Sequence, residues 1–234
     1  MNVCVTTWYD EAFAPLGDLA LGSLVRYAGR QGYEFRWPAV AASGRPPAWH
    51  KIRVLESLFD AGVEAVFWVD ADAVIVRSDV PVHEMLPAGK DLGLVLHEFD
   101  GQTVPNTGVM LWRNSEWSRR LLRDVWEKEE YLQHRWWENA AFCDVLGFHA
   151  VLGSGEDQPD ETRLAKIERW STEWNHLPGA THCDSPIVRH YAGKSWENRL
   201  ANMRADLGEG ATAAGPPAWK VAAHEWRRRF GRET

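Results

Sequence analysis

Asp70 and Asp72 stand one residue apart in WVDADAVI, Trp68 to Ile75, where an apolar run ends in two carboxylates and then resumes. On an extended backbone, residues two apart point to the same side, so both carboxylates could project together from the C-terminal end of a buried strand. Two negative charges that close raise each other's pKa unless a cation lies between them. Mn²⁺ or Mg²⁺ would relieve that repulsion, since both take oxygen ligands and keep positions open for substrate phosphates. The alternative is a strand-end turn carrying two solvated aspartates, because Asp is a good turn residue. Spacing alone leaves both readings open.

Other residues could serve the same chemistry. Thr6, Thr7 and Tyr9 lie where the first strand-like run ends. Hydroxyls and a ring face there could hold a base and a ribose, and a plain turn explains them about as well. Lys51 opens a helix, where the dipole disfavours a cation; a diphosphate partner would account for it, against the default of a solvated lysine. Fourteen tryptophans are many for this length, among them Trp136-Trp137 and Trp170 with Trp174. Such rings stack on sugars, although core packing is their commoner fate.

The elements that must carry these residues read as an alternation. Asn2 to Thr7 is a first strand, Leu16 to Gln31 a helix with apolar residues at helical spacing, and Glu34 to Trp37 a short strand. Ala41 to Pro47 is a Gly- and Pro-marked break, Trp49 to Asp60 a helix stopped by Gly62, and Ala65 to Val69 the strand that delivers the aspartates. Leu92 to Leu96 and Gly108 to Trp112 are strand candidates on either side of an expected polar loop, His97 to Asn106. Ser115 can cap a helix to about Tyr131, and a second helix spans Glu138 to Leu146. Strand character returns at Ala165 to Trp170 and Ile187 to Tyr191, and Ser195 to Leu207 reads as a helix. Alternating strands and helices predict an α/β fold with a mostly parallel central sheet flanked by helices, and ligands in such sheets bind outside the carboxyl ends of strands.

At 234 residues the chain suits one large domain, here expected over 1–207, with a linker at 208–217 and a basic C-terminal helix at 218–234. A hydrophobic fraction of 45% and a charged fraction of 25% are those of an ordinary globular protein, and a net charge of -7 argues against a general nucleic-acid binder. Cys4, Cys143 and Cys183 are widely spaced and form no CxxC, which reads as reduced thiols and a cytoplasmic location. No stretch approaches the ~18 consecutive apolar residues of a membrane span. The C-terminal AWKVAAHEWRRRF could lie weakly on an acidic membrane surface or pack as a solvated helix.

Taken in order, PLGDLALGSLVRYAGRQGYEF, WHKIRVLESLFD, VFWVDADAVI, NTGVMLWRNSEWS, WENAAF, WNHLPG and HYAGK form a set over roughly Asn2 to Arg204. That set resembles the GT-A nucleotide-sugar glycosyltransferases, closest to family 34, which contains the plant xyloglucan xylosyltransferases and the fungal galactosyl- and mannosyltransferases. The resemblance implies a Rossmann-like nucleotide-binding fold, with 1–112 as the nucleotide-sugar half and 113–207 as the acceptor and catalytic half. It makes Asn106, Thr107 and Gly108 a wall of the donor site, and it puts Glu138-Asn139 in the place of the family's acidic-amide pair, usually Asp-Gln. Glu is one methylene longer than Asp, and a helix-start acid favoured by the dipole is the alternative. The resemblance further makes His190 the third metal ligand beside Asp70 and Asp72. Gly193 and Lys194 then lie on the diphosphate, and Asn175 lies near the sugar; of the tryptophans that flank these motifs, Trp137 and Trp174 could stack on acceptor rings, against the commoner fate of core packing.

The expected activity is metal-dependent transfer of a hexose or pentose from a nucleotide diphosphate sugar, a UDP-sugar by resemblance, to an acceptor hydroxyl with retention of configuration. The acceptor could be a glycan, a lipid-linked sugar or a small molecule. Two competitors are a phosphohydrolase of the haloacid-dehalogenase type, whose nucleophile also begins a DxD, and a non-catalytic sugar- or nucleotide-sugar-binding module. The first needs its motif on an early strand, whereas these aspartates follow about 70 residues.

Overall fold

A computed structural model describes residues 1–40, 43–150 and 156–208. Apart from Gly208, the expected linker and C-terminal helix lie outside the described residues, as does the membrane contact expected of that helix. In chain order the elements are β1 (Val3–Thr6), α1 (Ala14–Gln31), β2 (Glu34–Phe35), α2 (His50–Asp60), β3 (Ala65–Val69), β4 (Ala73–Ile75), β5 (Leu92–Phe99) and β6 (Gln102–Arg113). They continue with α3 (Glu116–Trp126), α4 (Glu138–Val145), α5 (Glu161–Leu164), β7 (Ile167–Trp170), β8 (Val188–His190) and α6 (Trp196–Asp206).

The central sheet is six-stranded, in the order β2-β1-β3-β6-β5-β7, and only β6 runs against its neighbours. The mostly parallel α/β sheet read from the sequence is therefore observed. Its strands are nearly continuous apolar runs because both faces are covered. In β3, Val66 and Trp68 pack under α2, α3 and α4, while Ala65, Phe67 and Val69 pack with Leu24 and Tyr27 of α1 on the other face. Ser115 caps α3 by accepting from the Ser118 N–H, and that helix stops at Trp126, short of the expected Tyr131. No helix among the described residues is long and apolar enough to cross a membrane.

Three further features differ from the sequence reading. The expected polar loop from His97 to Asn106 is a hairpin in which Phe99 pairs with Gln102 across Asp100-Gly101. Both turn residues have positive φ, 51° and 81°, the conformation of a type I′ turn for which Asp-Gly is a strong signal. The second difference is β4, which resumes directly after the aspartates and pairs antiparallel with β8, setting Ala73 opposite His190. Third, β6 bulges: Met110 pairs with Leu94 but Asn106 with Val95, so Thr107, Gly108 and Val109 are extra to the β5 pairing. Val109 pairs instead with Val69, the last residue of β3.

Candidate active site

The aspartates do not ride on an extended strand. Asp70 and Asp72 occupy a tight turn between β3 and β4, closed by the Ala73 N–H donating to the Asp70 carbonyl at 3.0 Å. The Asp70 N–H is tied to the Gly108 carbonyl at 2.7 Å and the Tyr191 N–H to the Asp72 carbonyl at 3.0 Å. Turn and second sheet together bring His190 onto the pair.

Each carboxylate has one oxygen held by the protein and the other facing His190. Asp70 Oδ1 accepts from Trp68 Nε1 at 2.6 Å and lies 3.0 Å from Lys51 Nζ, while Oδ2 is 4.0 Å from His190 Nε2. Asp72 Oδ2 meets the Arg199 guanidinium at 3.4 Å, and Oδ1 is 3.3 Å from His190 Nε2. One ligand atom from each residue lies within 4.8 Å of the other two. Two carboxylates and an imidazole converging in this way suit a divalent cation with mixed oxygen and nitrogen ligands, so the residues fit the expected metal. Burial pushes the Asp72 carboxyl up, but the Arg199 guanidinium, together with His190 in its protonated form, outweighs it and holds it below the ordinary carboxylate range.

Beside this cluster lies a buried charge network. Lys51 is 4% exposed and Glu138 5%. Lys51 Nζ donates to Glu138 Oε1 at 2.7 Å and to the Thr107 carbonyl at 3.0 Å, besides its contact with Asp70. Burial disfavours the ammonium, yet the two carboxylates more than offset it and raise its pKa. Glu138 is raised as well, chiefly by burial and then by Asp70, against the pull of Lys51, because one cation serves two acids. The lysine thus sits between the metal-type cluster and the candidate catalytic acid.

Asn139 does different work. Its Oδ1 accepts from the Thr107 N–H at 2.8 Å and its Nδ2 donates to the Pro105 carbonyl at 3.2 Å. The amide side chain thereby takes the place of a neighbouring strand where β6 bulges, and it anchors the start of α4. Immediately before Glu138, Trp137 is 47% exposed with φ 45° and ψ -126°, a backbone conformation that costs a bulky residue on the order of 1–3 kcal/mol.

Several expected contacts are occupied by protein. Thr6 donates to the Arg36 carbonyl at 2.8 Å; the Tyr9 ring lies over Gly17 and its hydroxyl donates to Asp18 at 2.7 Å. The Thr7 hydroxyl, by contrast, is buried with no hydrogen-bond partner among the described residues. Trp174, expected toward the acceptor, is 1% exposed and packs against Phe67 and Trp170 in the core. Asn175 is fully buried, with its amide spent on Asn106 and His190. Gly193, at φ 71°, turns the chain after β8, and among the described residues Lys194 forms no ion pair.

Sequence reasoning missed Trp68, Arg199 and His97. Trp68 precedes Asp70 by two residues, and Arg199 lies one turn from the Ser195 cap of α6. His97 is 1% exposed, and neither ring nitrogen has a partner among the described residues. Burial, with His190 and His176 adding to it, pushes its imidazole down to about 4. Reading 97–106 as a loop hid it, although Asp100-Gly101 marks the hairpin that buries it.

No protein-family model matches the sequence, and no curated protein does. Solved structures match the fold. A glycosyltransferase involved in glycosylation of the major capsid of PBCV-1 aligns with 87% of this chain and all of its own, at a TM-score of 0.65 and 12% identity. The glycosyltransferase GlyE of Streptococcus pneumoniae TIGR4 aligns with 97% of this chain at a TM-score of 0.61 and 14% identity, and this chain spans 63% of its length. The galactosyltransferase LgtC, in complex with donor and acceptor sugar analogs, aligns with 98% of this chain and all of its own at a TM-score of 0.52 and 16% identity. The chain has the GT-A glycosyltransferase fold.

Proposed function

We propose that this chain transfers a glycosyl group from a nucleoside diphosphate sugar, in the first instance a UDP-sugar, to an acceptor hydroxyl. The carrying observation is the convergence of Asp70, Asp72 and His190 beyond the end of β3, where an α/β sheet binds ligands. The same three residues would hold Mn²⁺ or Mg²⁺, which when bound supplies Lewis-acid stabilisation of the departing diphosphate. Lys194, in the turn after His190, adds positive charge on the leaving-group side. Thr6 to Tyr9, where β1 ends, lie on the nucleoside side, with the Thr7 hydroxyl lacking a hydrogen-bond partner among the described residues, and Asn106, Thr107 and Gly108 line the sugar side.

Glu138 faces the sugar as a carboxylate oriented by Lys51. Its charge stabilises the oxocarbenium character that glycosyl transfer develops, or its oxygen bonds to the anomeric carbon as the bond to the diphosphate oxygen breaks and is displaced in turn by the acceptor oxygen. The ordered motifs favour the family 34 branch, and retention of configuration comes with that branch. Trp137, exposed beside Glu138, is the platform for an acceptor ring, which could belong to a glycan, a lipid-linked sugar or a small molecule. Trp174 and Asn175 have no free surface for that role.

The test is release of UDP from UDP-hexoses and UDP-pentoses with Mn²⁺ present and after chelation. Turnover lost in EDTA and restored by Mn²⁺ is expected; turnover unchanged in EDTA removes the metal. Hydrolysis of a simple aryl phosphate, with no UDP release, would favour the phosphohydrolase instead.

A further inference from the structure

We propose that Asn106 and Asn175 form a relay, anchored on the backbone of the β6 bulge, that holds His190 in its Nδ1–H tautomer and so turns the Nε2 lone pair toward Asp70 and Asp72. The inference rests on the metal-site reading above for its purpose, but its geometry stands apart from it.

The relay starts at a group whose role is fixed. The Gly108 N–H can only donate, and it lies 2.9 Å from Asn106 Oδ1. Asn106 must therefore present its oxygen there, since its NH₂ would set donor against donor. The same oxygen lies 2.9 Å from Asn175, which must then offer its Nδ2. That leaves Asn175 Oδ1 toward His190 Nδ1 at 2.9 Å, and a carbonyl oxygen can only accept. His190 Nδ1 consequently carries the proton. In the neutral ring Nε2 is then an acceptor facing two carboxylate oxygens, an arrangement that repels unless a cation is shared.

Burial gives the relay rigidity. Asn175 and His190 are buried, and the His190 ring rests directly on Gly108: a Cβ there would lie within 2.5 Å of Nδ1 and closer still to Cε1. Metal-ligating histidines are commonly fixed through their other ring nitrogen, and losing such a partner typically costs about 10–100-fold in metal affinity. Asn106 and Asn175 are on this view positioning residues for the metal ligand, and the glycine of the bulge serves the imidazole ring.

The experiment reads the tautomer directly. Long-range ¹H–¹⁵N correlation on metal-free, labelled protein, read from the neutral form of the ring, should show His190 with a protonated Nδ1 and a bare Nε2. Asn175→Leu should abolish that preference and weaken Mn²⁺ binding, measured by calorimetry, about 10–100-fold. Asn106→Asp keeps an acceptor toward both donors and should preserve the tautomer. Should Asn175→Leu fail to fold, Asn106→Ala breaks the relay at a half-buried position. An Nε2–H tautomer in the wild type, or a tautomer unchanged in Asn175→Leu and Asn106→Ala, overturns the relay. An Nδ1–H wild type that loses its preference in the variants supports the relay whether or not Mn²⁺ binds, and absence of Mn²⁺ binding then counts against the metal reading alone.

Discussion

Glu138 illustrates how burial and charge combine in a single side chain. Burial pushes its pKa above the ordinary carboxylate range, and Lys51, shared with Asp70, offsets only part of that rise. Replacing it by Gln keeps the size and removes the charge. Glu138→Gln should lower kcat by at least ~10²-fold with donor binding little changed, because charge on the sugar develops in the transition state. The wild-type rate should fall below an acid limb displaced upward from an ordinary carboxylate. Full turnover in the variant would remove Glu138 from the chemistry.

His97 offers a second test at this scale. Its folded pKa of about 4 lies below the ordinary 6.5, so between those values the unfolded chain binds a proton that the folded one does not. Its contribution to stability is therefore intact above about 6.5 and lost as pH falls through about 4. Between pH 7 and pH 5 the loss from this one imidazole should be about 2 kcal/mol in urea unfolding. His97→Phe should flatten that part of the curve, and an unchanged slope would show that other groups set it.

Among the elements, the β6 bulge does the most for the site. It takes Thr107 to Val109 out of the β5 pairing, pairs Val109 with the end of β3, demands Asn139 as a substitute partner for Thr107, and lays Gly108 under His190. Gly108→Ala should displace the His190 ring, with Mn²⁺ binding weakened about tenfold or more and the far-UV spectrum preserved. Retained affinity would mean that the ring can be seated elsewhere. The motif NTG is legible in the sequence as a turn leading into a strand, but nothing local marks it as a bulge, since the register depends on both neighbouring strands.

For the whole molecule, the site draws on distant stretches: Asp70 and Asp72 from the β3–β4 turn, Lys51 from α2, Glu138 from α4, His190 from β8 and Arg199 from α6. A ligand that engages them all should stabilise the fold by mass action, so UDP-sugar with Mn²⁺ should raise the melting temperature more than either alone. A panel of UDP-, GDP- and TDP-sugars identifies the base, and additive shifts without synergy would argue that metal and nucleotide do not share a site.

Local sequence determined the strands, the helices and the DxD pair, because apolar runs buried on both faces and apolar residues at helical spacing are properties of short windows. It also contains the Asp100-Gly101 hairpin signal, which the flanking polar residues mask because they have the composition of a loop. Tertiary structure alone decided that Asp70 and Asp72 sit in a turn, that Lys51 joins Asp70 to Glu138, and that Trp174 and Asn175 are buried. The cause is physical: a carboxylate's partners are chosen by which elements strand pairing brings together, and that pairing joins residues as far apart in the chain as Ala73 and His190.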